Sequence, residues 1–445
     1  MKTHSRAFSL GLVSISLLMI GCTITLGPVD DNGALADDRT SVLPKPKQPR
    51  WEEPVLDAAQ QARKDESERY VAEVIYKGST IAQTIQLPSG DIVDGIDRAT
   101  LPTLPSVIPP LPWLPQNVTL PDGVELGLTE VEQIPALADL VSTAAPFHRP
   151  TFWPYILGET DATSIQDYLA HYQVAGQPSG NRLYAGLIST APNRGLSGYM
   201  NQFRPDVATD SFSMLEFAVT CPADGPAREL VGVVISVDKF NSFGKNQHGL
   251  TNGEPRLHIE YARSKDGQMQ FAWDGLDGEF VANPLRRYRP GQVVPVSTLG
   301  GAQVEHLIAI FQAPTGDWWV TYRQELLGYY PAKLFTMLQG GACTSTWYGE
   351  VYNPTPKDGA VETEMGSGKF AEAGLPHTAY VRNPTYYDLS WFGVEPKDDP
   401  SLQVPYYVPP CYSRSALVKG AAPWNSLLLL GGPGGKNPQC KWPFP

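Results

Sequence analysis

The chain has 445 residues, of which 18% are charged, with 46 Asp and Glu against 34 Lys and Arg for a net charge of −12, and it carries 42 Pro, 41 Gly and 20 Tyr. Such an acidic chain repels nucleic-acid phosphates and anionic headgroups, so nucleic acid is excluded as a partner and any membrane contact is left to a lipid anchor. Low charge with abundant Gly, Pro and aromatic residues disfavours a helical bundle and predicts short strands joined by tight turns, an all-β class.

Lys2, His4 and Arg6 precede an apolar run from Ala7 to Ile20, too short to span a bilayer, followed by Gly21-Cys22. That layout predicts a signal peptide over residues 1–21. A small residue before a cysteine after Leu17-Leu18-Met19-Ile20 resembles the bacterial lipobox. It implies lipidation of Cys22 and a place in the cell envelope or outside the cell; plain secretion with Cys22 unmodified is the alternative. Residues 22–50 are polar and Pro-rich and read as a flexible tether. Between Trp51 and Glu73, Val55, Leu56, Ala58, Ala59 and Ala62 stand among charges and predict an amphipathic helix. Thr80 to Val93 reads as strand, turn, strand around Pro88-Ser89-Gly90. Leu101 to Leu120 is so Pro-rich that an extended polyproline linker is expected, exposed enough to be cut during maturation. Residues 51–145 are thus assigned to a pro-region, and residues 150–445 to the main domain.

Past Pro150 the texture is alternating. Glu216 to Val219, Val231 to Val237, Leu257 to Tyr261, His306 to Phe311 and Trp318 to Tyr322 are predicted strands, separated by Gly, Asp, Asn and Pro turns. One helix is predicted between them: Pro331 suits a first turn, Leu334, Phe335 and Leu338 form a stripe, and Gly340 suits the stop. With Cys22 set aside for lipid, the even set Cys221, Cys343, Cys411 and Cys440 permits disulfides in an oxidising compartment. Cys411 and Cys440 bracket one C-terminal segment and are the expected pair, which leaves Cys221 with Cys343. The cysteines do not have zinc-ligand spacing, and neither a His-Glu-x-x-His helix nor a Gly-x-Ser-x-Gly elbow occurs.

Several blocks stand out: Trp318-Trp319-Val320, Leu327-Gly328-Tyr329-Tyr330-Pro331, Trp347-Tyr348-Gly349-Glu350-Val351 and Thr363-Glu364-Met365-Gly366-Ser367-Gly368. In order and spacing these resemble the signature blocks of the neprosin family of glutamic peptidases. Pro410-Cys411-Tyr412 and Gly431-Gly432-Pro433-Gly434 are similar to its closing segment, and Gly90-Asp91-Ile92-Val93-Asp94 to its activation-peptide motif. The resemblance implies an antiparallel two-sheet β-sandwich with a small mixed N-terminal pro-region. It further implies an endopeptidase that cuts proline-containing peptides at acid pH with two glutamates and without a metal or other cofactor. Close carboxyls cannot both ionise easily, so one keeps a proton while the other activates water.

Carried over residue by residue, Glu350 takes the second glutamate position in the family's Trp-Gly-Gly-Glu pattern, altered here to Trp-Tyr-Gly-Glu. The first glutamate lies two residues before a strand glycine; with Gly232 as that glycine the position holds Leu230, and Glu229 is its neighbour. A one-residue offset turns a side chain to the opposite face, so Glu229 reaches the cleft only if a β-bulge re-aims it. Without a bulge, the resemblance implies a catalytically silent peptide- or polymer-binding sandwich. The resemblance also implies Gln303 as a cleft amide. Trp347 and Tyr348 beside Glu350, with the flat rings of Trp319 and Tyr330, are expected to hold prolyl substrate.

Overall fold

The computed structural model describes residues 55–87, 91–102, 124–126, 135–150, 152–169, 181–209, 211–222, 228–238, 253–265, 268–353, 362–398, 410–419 and 425–440. The expected signal segment, Cys22, the tether and most of the Pro-rich linker lie outside these residues.

The N-terminal part is mixed. Helix α1 (Ala58–Tyr70) starts at a capping box in which Asp57 and Gln60 each satisfy the other's backbone N–H, and it runs into a π turn at Val71–Ile75. Strands β1 (Ile81–Gln86) and β2 (Ile92–Ile96) form the expected hairpin. The short strand β3 (Val124–Leu126) follows, and β4 (Ala145–His148) completes a three-stranded sheet in the order β1-β2-β4. Helix α2 (Pro135–Thr143) lays Leu137, Leu140 and Val141 against Leu87 and Val93. The single turn α3 (Trp153–Ile156) packs Trp153, Tyr155 and Ile156, with Ile165, Tyr168 and Leu169, onto Val71, Tyr76 and Ile96.

The main body is all-β. Its strands are β5 (Asn181–Ser189), β6 (Gly195–Asn201), β7 (Phe212–Cys221), β8 (Glu229–Asp238), β9 (Arg256–Lys265), β10 (Gln268–Trp273) and β11 (Val281–Ala282). Then come β12 (Gln303–Gln312), β13 (Trp318–Tyr322), β14 (Glu325–Tyr330), β15 (Thr344–Asn353), β16 (Ala379–Tyr387) and β17 (Gly393–Val394). The last are β18 (Ser413–Arg414), β19 (Val418–Lys419) and β20 (Ser426–Gly431). One sheet has six strands in the order β10-β9-β8-β7-β15-β5, all antiparallel. The other runs β11-β14-β13-β12-β6-β16-β20-β18, with β17, β19 and a parallel β3 on its margins.

The period of two in the strands decides what lies between the sheets. From the six-stranded sheet the odd positions Leu215, Phe217, Val231, Val233, Leu257, Ile259, Trp347 and Val351 enter one core. They meet Ile308, Ile310, Trp318, Val320, Leu428 and Leu430 of the larger sheet. Each such side chain contributes about 2 kcal/mol on leaving water. Cys221–Cys343 and Cys411–Cys440 are both disulfides.

The predicted helix at 331–340 does not form. Two 3₁₀ turns, Ala332–Leu334 and Leu338–Gly340, flank Phe335 in an extended conformation. The cause is a distant acid: the carboxylate of Glu229 accepts the backbone N–H groups of Thr336 (2.9 and 3.1 Å), Met337 (2.7 Å) and Leu338 (2.9 Å), and the Thr336 hydroxyl at 2.9 Å. Those amides point at Glu229 instead of at carbonyls four residues earlier, which a continuous α-helix requires.

Candidate active site

The even positions of β5, β7, β8, β9 and β15, and the odd positions of β10, face away from the core, and on most soluble sandwiches this surface would be polar and wet. Here Phe212, Met214, Val234, Trp273 and Tyr352 form an apolar cluster on that face, and three glutamates are buried beside it. Glu216 is 1% exposed, Glu260 2% and Glu350 2%. Register places them on a diagonal. Glu350 on β15 lies opposite Tyr184 of β5 and Met214 of β7. Glu216 on β7 lies opposite Tyr348 of β15 and Val234 of β8. Glu260 on β9 lies opposite Gly232 of β8 and Trp273 of β10. Glu216 and Glu350 are therefore diagonal neighbours on adjacent strands, with backbones about 7–8 Å apart.

Two glycines make room for this arrangement. A Cβ on Gly232 would sit 2.7 Å from Glu260 Oε1 and 3.2 Å from Glu216 Oε1, so the bare backbone is the floor over which these two carboxyls meet. A Cβ on Gly186 would sit 2.3 Å from the Cβ of Tyr348. Position 348, where the sequence departs from Trp-Gly-Gly-Glu, thus holds a full ring because β5 has no side chain opposite it. That ring is used: the Tyr348 hydroxyl donates to Glu216 Oε2. Arg182 Nη1 donates to Glu350 Oε1, and Tyr184 lies opposite Glu350 on β5. Glu216 Oε1 and Glu260 Oε1 both crowd the space above Gly232, and Glu216 Oε1 is buried with no other donor among the described residues, so only a proton on one of the two carboxyls can join them.

Burial dominates the acidity of all three groups. It pushes the Glu216 carboxyl up to about 7, with the Glu350 charge acting the same way and the bonds from Glu260 and Tyr348 opposing it. Burial and then the Glu216 charge hold Glu260 well above the carboxylate range. Burial raises Glu350 too, against the pull of Arg182 and Tyr184. These shifts tie stability to pH. A raised carboxyl binds more protons folded than unfolded, so its contribution favours the fold below the unfolded value of 4.5 and is lost as pH rises through the folded value, about 7 for Glu216. At one pKa unit per 1.4 kcal/mol, Glu216 alone amounts to roughly 3 kcal/mol, and Glu260 adds in the same direction. Thermal melts should therefore give a higher Tm at pH 5 than at pH 8, a gap that narrows in Glu216→Gln. An equal gap in that variant would refute this assignment.

Of the residues expected from sequence, Glu350 and Tyr348 lie on this face and the others do not. Strand β8 pairs with both neighbours without a register shift, so no bulge re-aims Glu229. It has the parity of the core and is spent on residues 336–338. Trp347 is in the core, its indole N–H donating to Ser197 O at 3.0 Å. Tyr330 is in the core as well, 4.8 Å from the Tyr261 ring. Trp319 lies with Phe311 and Tyr329 on the face of the larger sheet turned away from the core. Gln303 clasps a loop: its amide donates to the carbonyls of Thr298, Gly301, Ala302 and Pro376.

Position 230 is itself displaced from the diagonal. Leu230 is in line with Thr220 and Thr344, whereas Glu350 is in line with Met214 and Ser236. Six residues of strand, about 20 Å, separate the two lines. Glu216, Glu260, Arg182 and Tyr184 were not anticipated. A signal did exist: Met214-Leu215-Glu216-Phe217 and His258-Ile259-Glu260-Tyr261 each put one acid into an otherwise apolar or aromatic strand, at positions that share a face. Among the described residues no group of three or more His, Cys, Asp or Glu is arranged to hold a metal.

The Neprosin family model matches residues 250–433, a span that holds Glu260 and Glu350. Similar solved structures include scytalido-glutamic peptidase with a peptide-based transition-state analogue (7% identity, 57% of this chain and 99% of that one, TM-score 0.26). They also include SCP-B, a member of the eqolisin family of peptidases, in complex with the tripeptide Ala-Ile-His (5% identity, 57% and 99%, TM-score 0.25). A Bacillus licheniformis β-glucanase is similar over a smaller part (11% identity, 38% and 57%, TM-score 0.20).

Proposed function

We propose that this chain, whose residues 250–433 match the Neprosin family model, is an exported endopeptidase of the glutamic type that hydrolyses proline-containing peptides at acid pH, with Glu350 as base and Glu216 as acid. The observation that carries this reading is the buried diagonal of unequal carboxyls: Glu350 is bonded to the Arg182 guanidinium, whereas among the described residues Glu216 is bonded to the Tyr348 hydroxyl and to no guanidinium. Between the two transitions the base is ionised and the acid is protonated, the state that general acid–base hydrolysis requires.

A water between the two groups gives a proton to Glu350 while its oxygen bonds to the scissile carbonyl carbon. Glu216 passes its proton to the carbonyl oxygen, so no full oxyanion charge builds up in a site shielded from water. On collapse the C=O bond reforms, Glu216 recovers that proton, Glu350 delivers its own to the leaving nitrogen, and the C–N bond breaks. Trp273 and the stacked pair Phe212–Tyr352, with ring centroids 5.4 Å apart, supply flat apolar walls suited to prolyl rings. The signal-like leader and Cys22 support a lipid-tethered enzyme of the cell envelope.

Purified protein given proline-containing peptides should show a bell-shaped kcat/KM profile. It should rise above pH 4.5 with ionisation of Glu350 and fall near pH 7 as Glu216 loses its proton. Peptides bound but intact across the whole acid-to-neutral range would leave a catalytically silent binding sandwich in place of an enzyme.

A further inference from the structure

The scheme above uses two glutamates, and a third is buried against them. Glu260 has no place in the proton transfers to substrate, yet burying an ionisable group without a purpose is expensive. It meets Glu216 over Gly232, where both carboxyl oxygens crowd the space of one missing side chain. The charged or titratable groups facing it are Glu216 on β7, Glu350 and Tyr348 on β15 and Arg182 on β5. Its own strand adds His258, whose Nδ1 is bonded to Asp274 Oδ2 at 2.8 Å. Arg182 is committed to Glu350. No cation stands against Glu260 among the described residues, so proton retention is what makes its burial tolerable.

We propose that Glu260 is a positioning residue that stays protonated and donates its O–H to Glu216, stabilising the carboxylate left on Glu216 after the acid has given up its proton. The inference rests on the reading of Glu216 as the acid. When Glu216 transfers its proton, a second negative charge appears next to Glu350 in a buried site; the short reach across Gly232 lets Glu260 oppose that charge with a hydrogen bond that is weaker while Glu216 is neutral. Such a bond favours the charged product of the transfer over the starting state.

Infrared spectroscopy tests the protonation without needing activity. At about pH 8, one unit above the Glu216 transition, wild type and Glu350→Gln should both retain the C=O band of a buried protonated carboxyl, and Glu260→Gln should lose it. Kinetics test the role. Glu260→Leu, which has no donor, should move the basic limb of the pH profile up by about one unit and lower kcat about tenfold, the worth of one charge-assisted bond, with little change in KM. Glu260→Gln, whose amide still donates, should keep the limb near its wild-type place. Gly232→Ala meets no backbone atom among its closest contacts; its methyl presses on Oε1 and Cγ of Glu260 and on Oε1 of Glu216, so it should force the two carboxyls apart and resemble Glu260→Leu. A band that survives in Glu260→Gln overturns the proposal, as does a basic limb that stays put in both Glu260→Leu and Gly232→Ala. Should peptides never be cut, the infrared result still decides the protonation of Glu260, and the failure belongs to the peptidase reading alone.

Discussion

Glu350→Gln should bind peptide about as well as wild type and lose about a thousandfold in kcat. Gln has nearly the shape of Glu and can still accept the Arg182 N–H through its amide oxygen, so the packing around β15 has little reason to change. It cannot take a proton from water, and positioned proton transfer is worth roughly a hundred- to ten-thousandfold. The substitution does remove the charge that Arg182 neutralises, and with Arg182 partly exposed that imbalance is met by solvent at modest cost. Glu216→Gln should be milder, about a hundredfold, because water or the Tyr348 hydroxyl can still steady the carbonyl oxygen. Its signature lies in the profile: the falling limb near pH 7 should vanish, since the group that makes it is gone. Steady-state kinetics with a single proline-containing peptide would measure both. Activity of Glu350→Gln within about tenfold of wild type would remove this residue from the chemistry.

The sandwich was legible because period-two alternation is a local signal. Val231, Val233 and Ile235 state which face of β8 is buried before any partner is known, and the inward positions of β9 and β12 repeat the same statement. What local pattern does not carry is which strands become neighbours. Glu216, Glu260 and Glu350 are far apart in sequence, and only the order β9-β8-β7-β15 brings them to one diagonal. Glu350 could be singled out because a motif surrounds it; Glu216 and Glu260 have no such frame and differ from structural acids only through their neighbours. The aromatic residues failed for the same reason. Trp319, Tyr330 and Trp347 are as flat and as apolar as Trp273, yet parity and sheet membership send two of them to the core and one to the far side of the larger sheet.

Glu229 is the sharpest case of an acid whose meaning lies in its partners, and its removal should damage the fold while sparing the chemistry. Opposite the Cys221 end of β7, it holds five hydrogen bonds that shape the segment between β14 and β15. Glu229→Ala leaves the N–H groups of Thr336, Met337 and Leu338 with nothing to donate to in a part-buried site. Orphaned donors cost about 1–3 kcal/mol each, with some of that recovered by water or by rearrangement of the turn, so a loss of about 3–5 kcal/mol is expected. Glu229→Gln should lose less, because its one carbonyl oxygen can serve two of the donors while its NH₂ faces the others. Thermal melts of the two variants should rank wild type above Gln and Gln above Ala, whereas kcat/KM per folded molecule stays within a few-fold of wild type. The opposite pattern, an unchanged Tm with activity abolished, would return Glu229 to the catalytic pair and displace Glu216 from it. The fold argues against that outcome on steric grounds: from the core face of β8 a side chain would have to pass through the sheet to reach Glu350.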